Sequence, residues 1–417
     1  MKVVIINKSD SRGGAAVVSR RLMAALRREG VDASMLVVEK LTDDPHVHLA
    51  APPARSRVPF LKERLGIFLR NGLNRRDLFK ADTASDGLPL WKHPLVSGAD
   101  LVCLGWVNQG VLSIDGIRRI GRGKPLVWVM HDMWCATGLC HHTGRCEGFR
   151  QHCGNCPLLH SGASPRDLSY RVLRRKQALY DEVPVTFVAV SNWLRDRCRS
   201  SALMAGADIR VIGNPFPLPE RSVRCDRDKN GRIRLLMAAA RLDDPIKGLP
   251  VLLEALRIIS AESPGLASRL SLTAVGALND PALFDGCPVD VELPGSLPVE
   301  AMAGQYRRAD LLLSPSLYET LPGTLVEAQA YGAVPVAFDS GGQRDIVEPG
   351  VTGVLARMPD DLRERPAAFA RAISQAAGML GTPGLQETMY RSVRDRFADS
   401  AIAREYIRLF NEKISKS

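Results

Sequence analysis

The chain has 417 residues, enough for two ordinary domains with a core each, and its 45% hydrophobic and 24% charged content argues against long disorder. No stretch approaches the unbroken run of about 18 apolar residues that spans a bilayer, and with 6% aromatics and no RNA-recognition, zinc-finger or helix-turn-helix signature, nucleic acid is not an expected partner. The formal net charge of +11 therefore points to an anionic membrane surface or to anionic substrates.

Residues 3–6 read as a buried strand and not as the core of a signal peptide, so a cytoplasmic protein is expected. A helix at 15–28, with apolar Val17, Val18, Leu22, Ala25 and Leu26, and a second strand at 33–38 follow. Such alternation gives a parallel sheet with helices on both faces. The intervening loop carries Gly13 and Gly14, which an open α/β sheet places at its ligand end. They are no dinucleotide fingerprint, because G-x-G-x-x-G is absent.

Residues 40–98 show no strong period apart from a basic segment at 55–76. There Arg55, Arg57, Lys62, Arg64, Arg70, Arg75 and Arg76 stand against Glu63, interleaved with Phe60, Leu61, Leu65, Ile67, Phe68 and Leu69. Two readings are open: a basic amphipathic helix lying on phospholipid headgroups, or a solvated helix packing its apolar side on its own domain. Strands are expected at 99–104 and 126–130, and the second delivers His131 and Asp132 to the ligand end of the sheet.

Five of the nine cysteines fall between 135 and 156. In a reducing compartment Cys140, Cys146, Cys153 and Cys156 suggest a candidate structural zinc site, with His141, His142 and His152 as spare ligands; the alternative is reduced, partly buried thiols. The domain ends near 213, and a polar, Pro-rich linker covers 214–231. The only Asp-x-Asp, Asp226 and Asp228, lies in that linker, not at a strand end, so no metal-bound diphosphate is expected.

Alternation restarts at 232. A strand at 234–239 is followed by Arg241, Lys247 and Gly248 and a helix at 249–259. Two cations bracketing such a loop would stabilise charge that builds on a leaving diphosphate. Further strands at 271–275, 289–293 and 309–313 lead into residues 314–345, where Glu319 and Glu327 lie eight positions apart across a Pro322-Gly323 break. A helix starting near Thr324 offers unpaired N–H groups and the positive end of its dipole to an anion. Gly323 lets a ligand approach the main chain. Glu327, on the first turn, could accept two hydrogen bonds from the vicinal diol of a ribose.

The Glu-x7-Glu spacing with Ala328, Tyr331-Gly332, Pro335-Val336 and Gly341-Gly342 resembles the donor-site signature of family 4 of the glycosyltransferases, the retaining enzymes of GT-B architecture. The segments WVNQG and VWVMHDMW and the following TG-x-C resemble a subgroup found among bacterial exopolysaccharide and colanic-acid-type transferases. The resemblance implies two doubly wound, Rossmann-like parallel-sheet domains facing a cleft: 1–213, with a terminal helix at about 398–417 packing back on it, on the acceptor side, and 232–397 for the nucleotide-sugar donor. It implies Glu319 and the Gly323, Thr324 and Leu325 backbone at the sugar and phosphate, Glu327 at the ribose, Arg241 and Lys247 at the diphosphate, and Leu293-Pro294-Gly295 near the base. His131, Gly13 and Gly14 would line the sugar and acceptor side. The implied reaction is a metal-independent, retaining transfer from a nucleoside-diphosphate sugar to a glycan, polyprenyl-linked for preference, on the inner face of the plasma membrane, in exopolysaccharide or lipopolysaccharide synthesis. The alternatives are a non-catalytic membrane or assembly docking protein and a nucleotide-sugar epimerase of the same architecture.

Overall fold

The computed structural model describes residues 1–222 and 231–416. Asp226 and Asp228 thus lie outside the described residues. The chain forms two compact units, Met1–Pro215 with Asp399–Ser417, and Phe216–Ala398.

The first unit is built on seven parallel strands: β1 (Lys2–Ser9), β2 (Asp32–Glu39), β3 (Val47–Leu49), β4 (Leu101–Leu104), β5 (Leu126–Met130), β6 (Val185–Ala189) and β7 (Asp208–Val211). Their order is β3-β2-β1-β4-β5-β6-β7. β4, β5 and β6 are buried at every position, which is why their sequences read as continuous apolar runs and not as alternation. Helix α1 (Gly14–Arg28) covers one face. The terminal helix Asp399–Ile414 packs on α1 through buried Ile402, Tyr406 and Phe410, and an ion pair joins Arg28 to Asp399.

The second unit has six parallel strands: β8 (Ile233–Arg241), β9 (Leu270–Ala277), β10 (Asp290–Gly295), β11 (Leu311–Ser314), β12 (Val334–Phe338) and β13 (Val354–Ala356). Their order, β10-β9-β8-β11-β12-β13, repeats the winding of the first sheet. In each the direction of winding reverses once, between β1 and β4 and between β8 and β11. Loops leaving the carboxyl ends of those strands flank a crevice suited to ligands.

The basic segment is a helix, α2 (Pro53–Arg70), and it does not turn its leucine side onto its own domain. Its inward face consists of Glu63, Arg64 and Ile67, all buried, while Leu61, Leu65 and Leu69 are 56–61% exposed. The buried charges are paired, although Glu63 Oε2 and Arg64 Nε have no hydrogen-bond partner among the described residues. Arg64 pairs with Asp82 and with Glu63 at 3.3 Å, and its Nη1 donates to the carbonyls of Leu78 at 2.6 Å and Ala81 at 3.0 Å. The Glu63 carboxylate accepts from the backbone N–H of Thr83 and of Ala84, each at 2.7 Å. Burial, together with neighbouring Asp82, still pushes the Glu63 carboxyl up.

Candidate functional site

Three loops leave the carboxyl ends of β8, β11 and β12, and backbone hydrogen bonds tie them together. The Leu317 N–H donates to the Ile246 carbonyl at 2.8 Å, and the Gly342 N–H to the Glu319 carbonyl at 2.9 Å. Two glycines make this possible. Gly248 has φ 73°, and a Cβ there would stand 2.2 Å from the Pro315 oxygen; a Cβ on Gly341 would stand 2.0 Å from the Glu319 oxygen. Gly248→Ala is therefore expected to cost about 1–3 kcal/mol and to displace Lys247. Melting of the variant tests this, and an unchanged transition would show that the loop has room to give.

The loops bring Lys247 and Glu319 together at the crevice, with Nζ 2.6 Å from Oε1. Lys247 closes a short 3-10 turn, Pro245–Lys247, whose start is fixed by the Asp244 side chain accepting from the Ile246 N–H at 3.0 Å. Arg241 is not part of this pair. It is exposed at the end of β8, and its guanidinium is held by Asp243 at 3.0 Å. The carboxylate two residues along the chain was the overlooked signal.

The helix after the break spans Gly323–Ala330, with Pro322 as its N-cap. Glu327 is its fifth residue, one beyond the first turn and not on it. The Glu327 carboxylate accepts from the Tyr306 hydroxyl at 3.0 Å, and Tyr306 stacks on Tyr331 at 6.1 Å. Leu325 is buried and its N–H donates to the Pro322 carbonyl at 3.1 Å, whereas Gly323 and Thr324 have no intrahelical acceptor by helix geometry. Gly323 has a packing reason of its own, because a Cβ would stand 2.7 Å from the Phe216 ring.

In the first unit, Gly13 (φ 91°) caps α1, and a Cβ on it or on Gly14 would meet nothing within 4 Å, so the ground before this helix is open. His131 follows β5 with its Nε2 buried and without a hydrogen-bond partner among the described residues. Burial holds its imidazole down at about 4, so it is neutral and able to exchange a hydrogen bond with a hydroxyl.

The neighbouring Asp132 belongs to a network that the sequence did not show. His141 lies between two carboxylates, Nδ1 2.7 Å from Asp132 and Nε2 2.6 Å from Asp82. Asp132 also accepts from the Trp106 indole at 3.1 Å and the Trp134 N–H at 2.8 Å. Burial opposes both charges, yet the two carboxylates raise His141 to about 10, and His141 lowers Asp132 to about 2. Through Asp82 the network continues to Arg64 and Glu63 of α2.

His141 is thus a fixed imidazolium and not a spare metal ligand. Cys140, Cys146, Cys153 and Cys156 do line one cavity, of about 70 Å³, with Leu139, Phe149 and Pro157. Among the described residues, however, no group of three or more His, Cys, Asp or Glu is placed to hold a metal ion. In the metal-free chain burial raises the Cys140 and Cys153 thiols to about 11 and Cys156 to about 12. Polar clips order the loop as well: buried Lys176 donates to the carbonyls of Trp134 at 2.5 Å and Thr137 at 2.8 Å, and Asp167 accepts from the Cys156 N–H at 2.8 Å.

Two wound parallel sheets with a cation–carboxylate pair at one switch point define a GT-B type architecture. Residues 233–378 match the family described as Glycosyl transferases group 1, so the chain carries a domain of that family, in accord with the family 4 resemblance. It is 32% identical over 185 residues to a D-inositol 3-phosphate glycosyltransferase of Thermobispora bispora, 39% of this chain and 43% of that protein. It is 23% identical over 257 residues to the putative colanic acid biosynthesis glycosyl transferase WcaC of Escherichia coli K12, 57% of this chain and 61% of that protein. The aligned stretches thus span about two-fifths to three-fifths of these relatives. The Anabaena Alr3699/HepE structure in complex with UDP shares the fold, with a TM-score of 0.57 at 15% identity over 99% of this chain and 100% of that one.

Proposed function

We propose that the chain transfers a sugar from a nucleoside-diphosphate sugar to a glycan acceptor, lipid-linked, in bacterial cell-surface polysaccharide synthesis at the inner face of the plasma membrane. The observation that carries this reading is the Lys247–Glu319 pair, 2.6 Å apart at the carboxyl ends of β8 and β11, beside the start of the helix Gly323–Ala330. In the proposed reaction the bond from the anomeric carbon to the diphosphate oxygen breaks, and the diphosphate leaves with the electron pair. The oxygen of an acceptor hydroxyl bonds to the anomeric carbon with retention of configuration, and its proton passes to the leaving diphosphate. Lys247 and the Gly323 and Thr324 N–H groups answer the charge that grows on the diphosphate, so no divalent cation is called for. Glu319 holds sugar hydroxyls and positions Lys247, and Glu327, fixed by Tyr306, holds the ribose. Arg241 joins the diphosphate by exchanging its partner Asp243 for phosphate oxygens. On the acceptor side, neutral His131 and the open ground at Gly13 and Gly14 line the sugar.

A panel of UDP, GDP, ADP and their sugar conjugates, with and without EDTA, tests the donor site. One nucleotide is expected to raise the melting temperature, to do so in EDTA, and to lose the effect in Glu327→Ala. The absence of a shift with every nucleotide would favour the second reading, a non-catalytic docking protein, for which the exposed apolar face of α2 is the specific support.

A further inference from the structure

We propose that Cys140, Cys146, Cys153 and Cys156 hold one structural zinc ion as four thiolates, and that buried Lys176 is the cation that offsets the charge of this set. The site belongs to the first unit and rests on no part of the donor reading.

The four cysteines come from the long loop between β5 and the helix Leu168–Glu182, and they meet around the single cavity of about 70 Å³. Cys140 lies in electrostatic range of Cys146 and Cys153, Cys153 of Cys146 and Cys156, and Cys156 of Cys140 and Cys146, so every pairing among the four occurs. The last two are folded together by a tight turn. Cys153, Gly154 and Asn155 all have positive φ, at 51°, 116° and 48°, which is uncommon for the two that are not glycine. Backbone groups also aim at the sulfurs: Gly138 hydrogen-bonds Cys153, and Leu158 hydrogen-bonds Cys156. An N–H donated to sulfur favours the thiolate, the form that ligates a metal. In the metal-free chain the thiols ring the cavity and are not set at ligating distance. The proposed closure is a turn of each side chain about its Cα–Cβ bond as the ion enters.

Charge supports the same reading. Four thiols that bind one Zn²⁺ give up their protons to solvent, and the set is left with two net negative charges. Lys176 is 1% exposed, and its ammonium donates to the carbonyls of Trp134, Thr137 and, at 3.4 Å, Gly138. It also stands 3.3 Å from the centroid of the Trp134 ring. These partners are dipoles and a π face, whereas a cation so deeply buried calls for an anion. Asp132 is in electrostatic range but is already engaged by His141. Cys140 and Cys153 are in range as well, and as thiolates they supply the counter-charge. Four soft donors leave no open position on a tetrahedral ion, which suits zinc in a structural and not a catalytic role.

The ion sits beside the network around His141. Cys140 directly precedes His141 in the chain. Trp134, whose carbonyl binds Lys176, donates its backbone N–H to Asp132 and its indole N–H to the Asp82 carbonyl at 2.9 Å. A zinc at this place therefore clamps the loop that keeps His141 between its two carboxylates.

Elemental analysis of the full chain, purified under reducing conditions from zinc-supplied cells, tests the site. About one zinc per chain is expected, falling to about one-tenth or less in Cys153→Ser/Cys156→Ser and unchanged in Cys287→Ser, a thiol of the second unit. Should the double variant fail to fold, the wild type decides alone: stripped by a chelator and titrated with Co²⁺, it is expected to show thiolate-to-metal charge transfer and the visible absorption of a tetrahedral site, saturating at about one equivalent. Lys176→Met is expected to loosen zinc by about tenfold or more in competition with a chelator, which a lysine that only ties carbonyls together would not do. A zinc content near zero with no cobalt spectrum overturns the site, and so does iron in place of zinc or a pair of disulfides among the four cysteines. Unchanged chelator competition in Lys176→Met overturns the role of the lysine. None of these results touches the nucleotide shifts of the second unit, so the zinc and donor readings fail separately.

Discussion

Replacing Lys247 by alanine is expected to lower kcat/KM for transfer by about 10²–10³, the scale of one lost donor aimed at developing negative charge, or about 2.7–4 kcal/mol. The placement makes this the largest single effect on turnover. The ammonium sits at the winding reversal of the second sheet, 2.6 Å from Glu319, with its side chain 28% exposed, so it is in reach of a ligand while its position is fixed. Glu319→Ala is expected to lower the rate by a similar factor, since it releases Lys247 and, in the proposed site, also removes the contact to sugar hydroxyls. The double variant then separates the roles. If Glu319 only positions Lys247, Lys247→Ala/Glu319→Ala is no worse than Lys247→Ala alone; if it also touches the sugar, the double variant loses more. Arg241→Ala is expected to act mainly on donor KM, because its guanidinium is already engaged by Asp243. A Lys247→Ala enzyme that keeps its rate within about threefold, with donor affinity intact, would remove the lysine from the transition state.

What the sequence made legible was what local rules determine. Strand and helix alternation, the glycines at loop crossings and the short loops after β8 and β11 are encoded within a few residues, and the parallel sheets follow from them. Glu319 and Lys247 were singled out from short spacings and the family resemblance, whereas their direct pairing was not visible, since 72 positions separate them. The network around His141 was hidden because its members, Glu63, Arg64, Asp82, Asp132 and His141, come from four segments with no common spacing. In α2 the pattern itself misled. Phe60, Leu61, Leu65 and Phe68 look like the inner side of an amphipathic helix, and only the meeting of Arg64 with Asp82 shows that the charged side faces inward. The four cysteines around the C-x2-C spacing do converge on one cavity, while among the described residues no group of three or more His, Cys, Asp or Glu is placed to hold a metal ion.

The same network sets the largest expected effect on stability. His141→Gln leaves Asp82 and Asp132 buried without the cation between them, and about 3–5 kcal/mol of stability of the first unit should go with it. Its pH dependence identifies the cause. The imidazole titrates at about 10 in the folded chain against 6.5 ordinarily, so its contribution is complete below about 6.5 and is lost as pH rises toward 10. Asp132, lowered from 3.8 to about 2, contributes above about 3.8 and loses its share as pH falls through 2. His131, held neutral by burial and lowered to about 4, has the opposite sense to His141: between 6.5 and 4 the unfolded chain takes up a proton that the folded chain refuses, so acid destabilises. The melting temperature of the wild type is therefore expected to be highest near pH 6–7 and to fall on both sides. His141→Gln should lower it throughout and flatten the alkaline limb between 7 and 10, while His131→Gln should flatten the limb between 6.5 and 4. An alkaline limb as steep in His141→Gln as in the wild type would show that His141 is neutral in the folded chain. Asp82 would then be balanced by Arg64, and Asp132 held by the Trp106 indole and the Trp134 N–H.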